Sequence, residues 1–170
     1  LSKHFAGWPS LWCGEASGEL WIGNGFGVFN ITGHEGASNL AAAVGTRSFV
    51  LVERPPHVLI EVRLRYIRWD TQRPTGLHDF SAIDGLFKAF DVHESPRVLE
   101  WEAASGRPGH LLGRTEAAFT VLVRAAYLEV ARTLTHATRF SATNSTAPVR
   151  CHNEEGNVVA WVGQTAVGPR

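Results

Sequence analysis

The residues of this 170-residue chain whose types and spacing could do chemistry fall in a few clusters. Gly106, Gly109 and Gly113 interleave with Arg107, His110 and Arg114 just ahead of a predicted helix, and backbone amides at such a helix start can cradle a phosphate. The spacing matches neither the dinucleotide fingerprint nor the P-loop, so a surface loop is the simpler reading. Eight histidines invite a metal or acid-base role. No two of them sit at i, i+4 on a helical pattern, and His34-Glu35 lacks the second histidine of a zinc protease. The serines have no nucleophile-elbow context. Cys13 and Cys151 are too few for a disulfide scaffold and lack zinc spacing. They read as two small buried hydrophobes, with a bond between them conceivable if their strands are neighbours.

Composition narrows the partners. Lys plus Arg equals Asp plus Glu at 16 each, so no global field recruits nucleic acid or an anionic membrane. No apolar run reaches the length that spans a bilayer, and no charged segment precedes an apolar stretch at the amino end. The expectation is a soluble, cytoplasmic protein. A start at Leu1 and the lack of any Met are consistent with a processed form or a piece of a larger protein.

The elements that must position these residues follow from periodicity. Leu11 to Cys13 and Glu19 to Ile22 read as strands joined at Ala16-Ser17-Gly18, with Trp12 and Trp21 as apolar anchors. Phe26 to Ile31 is apolar and aromatic, and Asn39 to Val44 tolerates a helix. Ser48 to Glu53 and His57 to Trp69 read as two strands; in the second, arginines alternate with apolar residues and face solvent. Ile83, Leu86, Phe87 and Phe90 form a short amphipathic helix, and Val98 to Glu102 a strand. The spacing of Phe119, Leu122, Val123, Ala126, Tyr127, Val130 and Leu134 predicts one long helix over Thr115 to His136. Pro148 to Gly163 reads as a closing hairpin with its polar turn at Asn153 to Asn157.

Three segments in chain order carry a family resemblance. They are Glu15-Ala16-Ser17-Gly18-Glu19-Leu20-Trp21-Ile22-Gly23-Asn24 with Phe29-Asn30-Ile31-Thr32-Gly33-His34; Leu77-His78-Asp79-Phe80 with Pro96-Arg97-Val98-Leu99-Glu100-Trp101; and Pro148-Val149-Arg150-Cys151 through Asn153-Glu154-Glu155-Gly156-Asn157-Val158-Val159 to Trp161 and Gly163. Together they resemble PAS domains, the sensory modules of signalling proteins. The resemblance implies an α+β fold, an antiparallel β-sheet with helices packed on one face. It also implies a ligand-binding sensory or signalling module that binds a small molecule or partner rather than catalysing, and a homodimer. A PAS core needs only about two thirds of this length, so within a single domain over 1–170 either residues 46–72 or 103–137 would be insertions.

The small-molecule reading places a pocket between the sheet and the middle helices, bordered by Trp21, Phe29, His78, Phe87 and Trp101, with His78 as its polar contact. The sequence leaves the cofactor unknown, and the cysteine motif of light-sensing relatives is missing. Two enzyme patterns have partial counterparts in the chain. Glu116, Arg124 and Glu129 resemble part of a Nudix box without its glycines or paired glutamates. Ala137 to Asn144 resembles the fifth strand of GNAT acyltransferases, which would need a cofactor pocket at Gly106 to Gly113. A ligand-free interaction domain is the third alternative.

Overall fold

A computed structural model describes residues 1–8, 11–16, 18–24, 26–45, 49–51, 67–69, 97–116 and 119–165. The fold is α+β, built on antiparallel strands with few helices. The chain divides into two compact units, one of Leu1–Gly25 and Asn30–Phe87, the other of Phe26–Phe29 and Lys88–Arg170.

The first unit opens with a short helix α1 (Ser2–Phe5), followed by the hairpin β1 (Trp12–Ala16) and β2 (Glu19–Asn24) in the register Gly14 to Trp21. This is the hairpin read from the two tryptophans. Trp21 is fully buried and its Nε1 donates to Ala16 O at 3.4 Å. The chain returns past β2 at Asn30 to Thr32. Asn30 Nδ2 donates to Glu19 Oε2 at 2.8 Å, and Ile31 N donates to Leu20 O. Helix α2 (Ala37–Val44) buries Ala37 and Val44 and packs on β1 and β2. Strands β4 (Phe49–Leu51) and β5 (Ile67–Trp69) pair antiparallel, within the two strands expected there. The predicted helix around Phe87 lies outside the described residues, as does His78.

In the second unit, β3 (Gly27–Asn30, Asn30 belonging to the first), β12 (Val158–Val162), β11 (Val149–His152), β10 (Arg139–Ala142) and β6 (Arg97–Val98) lie in that order, every neighbour antiparallel. A separate meander of β7 (Glu100–Ala103), β8 (His110–Arg114) and β9 (Thr120–Arg124) leads into helix α3 (Ala125–Thr135). The closing hairpin forms where the sequence places it.

Two expectations are corrected. The helix predicted over Thr115 to His136 is a strand and then a shorter helix, because Thr120-Val121-Leu122-Val123 is rich in β-branched residues and pairs residue for residue with β8. Its apolar side chains are used inside the unit: Val121, Leu122 and Val123 are buried from the strand, and Tyr127, Leu128, Val130, Ala131 and Leu134 from the helix. Ala126, assigned to the stripe, is exposed. The helix ends with His136 in the left-handed region (φ 56°) while Ala137 N reaches back to Ala131 O, a Schellman-type closure.

The second correction concerns the glycines at 106–113. They do not precede a helix. Ala104 to Gly109 turn the β7–β8 hairpin, Gly113 lies inside β8, and α3 begins only after β9. Arg114 is occupied by an exposed ion pair with Glu102 at 2.6 Å. The phosphate cradle has no helix start to form on.

Candidate functional site

Of the five residues expected to border a pocket, three are described. Trp21 belongs to the first unit. Phe29 and Trp101 belong to the second. Cross-strand partners share a sheet face, so the register puts Phe29, Ala160, Cys151 and Phe140 in one row across β3, β12, β11 and β10. Phe29, fully buried, stacks on Tyr127 of α3 with centroids 6.4 Å apart. Trp101, half-buried, meets Phe140 edge-on at 6.0 Å. Arg132 of α3 lies over the Phe140 ring at 5.1 Å. Both predicted residues therefore attend the same row, at its two ends, on the face that α3 covers. Side chains filling this face are core packing.

The opposite face of the same ladders has a different character. Its row runs Val28, Trp161, Arg150, Ser141, Val98, and the next cross-strand pair is His152 with Arg139. On β10 and β11 the four same-face positions Arg139, Ser141, Arg150 and His152 are all polar. Ser141 and His152 are nonetheless buried. Ser141 Oγ lies 3.0 Å from His152 Nε2, and His152 Nδ1 lies 3.4 Å from Gly156 O. The Arg150 guanidinium lies over the Trp161 ring, 5.7 Å from its centroid.

Two turns hold this pair in place. Between β10 and β11, Asn144 Oδ1 accepts from Thr146 N, Thr146 Oγ1 and Ala147 N, an Asx-type turn. Gln164 Nε2 donates across to Asn144 O and Ala147 O. Between β11 and β12, Gly156 N donates to Asn153 O and Asn157 N to Asn153 Oδ1, with Gly156 at φ 86°, a conformation suited to glycine. The register slips between Cys151 and His152, and the irregularity falls where the imidazole must reach both its partners.

A carbonyl only accepts, so the hydrogen of the neutral imidazole is on Nδ1 toward Gly156, and Nε2 accepts from the Ser141 hydroxyl. Burial lowers the His152 pKa, the Gly156 hydrogen bond opposes this, and Arg139 and Arg150 lower it further. The site is thus a neutral imidazole bound to a hydroxyl beneath two cations. A hydroxyl so placed resembles an activated nucleophile. Ser141, however, sits mid-strand with pairing partners on both sides, which leaves no loop amides to stabilise an oxyanion.

Among the described residues, no group of three or more His, Cys, Asp or Glu side chains is arranged to hold a metal ion. No helix among them is long and apolar enough to cross a membrane. No family model matches the chain, and neither the curated proteins nor the solved structures contain a match. Sequence reasoning missed Arg139, Ser141 and His152 as a cluster. The available signal was the Asn144 turn with Pro148 behind it, which folds β10 back on β11 and brings residues 139–141 opposite 150–152.

Proposed function

We propose that this protein is a binding module for a small molecule, recognised on the β10–β11 ladder by Arg139, Ser141 and His152 with Trp161 and Val28 as the apolar floor. One observation carries the reading: a hydrogen-bonded Ser141–His152 pair is buried on a sheet face that also carries the fully buried Val28 and Trp161. Ligand sites have that composition, mainly apolar with a few convergent polar groups. The PAS resemblance supports the same class of function, and a sensory role as a cytoplasmic homodimer belongs to this reading.

The test is thermal unfolding of the full chain against a panel of small molecules, repeated on Ser141→Ala. A ligand present at a hundred times its Kd stabilises the native state by about 2.7 kcal/mol. Stabilisation that is lost or weakened in Ser141→Ala supports the site. A panel with no stabilising compound, or shifts indifferent to Ser141, would sink it. Light scattering over a concentration series reports on self-association, and a monomer throughout removes the homodimer.

A further inference from the structure

Resting on that binding reading, we propose that the ligand presents an anionic head group, a carboxylate or phosphate, held by Arg139 and the Ser141 hydroxyl and compensated by a proton taken up on His152. Charge supplies the first argument. Arg139 is exposed, makes no ion pair among the described residues, and stands directly across the ladder from His152. Its Nη2 lies 3.8 Å from where a Cβ on Gly156 would stand, so the guanidinium is beside the turn that His152 contacts. Arg150 adds a second positive charge on the same face.

No carboxylate shares these four positions. Among the described residues, the groups around His152 are Arg139 and Ser141 from β10, Arg150 from its own strand, the Gly156 carbonyl from the turn and Val158 from β12. Glu154 and Glu155 in the turn are exposed, and Glu155 Oε2 accepts from Asn157 Nδ2. Arg132 is on the helix that covers the other face.

Hydrogen-bond polarity supplies the second argument. While His152 is neutral, the Ser141 proton points at Nε2 and the hydroxyl has nothing to donate outward. When Nε2 is protonated, it donates to Ser141 Oγ instead, the Nδ1–H bond to Gly156 persists, and the serine proton is released toward a ligand. An oxyanion is the group that gains from both changes, a new donor and a new positive charge. Proton uptake and anion binding are therefore coupled, and each strengthens the other.

The experiment uses the full chain labelled with 13C at histidine Cε1, the His152 resonance being identified by its loss in His152→Gln. Its titration is followed by NMR in chloride and then with inorganic sulfate, octyl sulfate, octanoate or octanol. The expected result is that an anionic probe raises the His152 titration midpoint, and that its affinity increases roughly tenfold toward acid pH for each unit of that rise. Octanoate acting alone would identify a carboxylate head group, and the sulfates acting alone a phosphate-like one. Arg139→Gln, a change at an exposed position, should abolish the effect. Octanol binding as well as the anions would overturn the proposal while leaving a binding module, as would an anion effect that survives in Arg139→Gln. Binding of no probe, with a broad panel also silent, would remove both.

Discussion

The ring of Tyr127 stands where a side chain on Gly27 would have to go: a Cβ there would lie 2.7 Å from Tyr127 Cδ1. The first residue of β3 is thus bare so that α3 can settle on the sheet, with Tyr127 stacked on Phe29 and edge-on to Phe26 at 6.4 Å. This contact keeps the helix on the face opposite Ser141 and His152.

Gly27→Ala should therefore destabilise the second unit by about 1–3 kcal/mol, the usual cost of overpacking. Urea denaturation is the check. Tyr127→Ala placed on top of Gly27→Ala should relieve the clash, so the two changes together should cost less than their sum. Additive costs would show that Tyr127 does not meet residue 27.

Trp161 of β12 is fully buried, between Val28 and Arg150 in its row. Replacing it by Ala removes the largest side chain on the candidate face and should cost about 3–5 kcal/mol. Trp161→Phe, which keeps a ring beneath Arg150, should cost far less. Loss of stability within experimental error for Trp161→Ala would mean that the closing hairpin is peripheral to the unit.

How much of this was legible beforehand depended on whether the signal was local. The closing hairpin was readable because the turn chemistry of Asn153 to Asn157 separates two short strands rich in apolar residues. The β1–β2 hairpin was readable for the same reason. The long helix was misread because Leu122 and Val123 satisfy a helical stripe and a buried strand equally well, and periodicity alone does not separate them. Only the pairing of Leu111 with Val123 and Leu112 with Leu122 decides it. The site was illegible for a related reason. Ser141 and His152 stand eleven residues apart with no recognisable spacing, and they meet only once the register of β10 on β11 is fixed.

Cys13 and Cys151 are free and buried. Burial raises the Cys13 pKa to about 12, and it pushes the Cys151 thiol up as well, against a smaller opposing effect of Arg132. The thiolate is the reactive form, so neither cysteine should react with a disulfide reagent at neutral pH until the protein unfolds. Two equivalents should then appear together in urea. Rapid native-state labelling of either would show that its strand opens.

Stability should depend on pH through His152, with a definite sign. Its folded pKa lies below the unfolded value of about 6.5, chiefly through burial and further through Arg139 and Arg150. The unfolded chain then takes up the proton first as the solution is acidified. The stability contributed by the neutral imidazole is complete above about pH 6.5 and is lost as pH falls through the folded pKa, below which no further loss comes from this group. His4 is shifted in the same direction, again mainly by burial, so the whole-chain profile contains both residues. The difference between the wild type and His152→Gln isolates the one of interest. That difference should shrink on acidification through this window and be flat above it. A difference independent of pH would mean that His152 is solvated and titrates normally. The neutral, Ser141-bonded imidazole on which the anion site depends would then be lost with it.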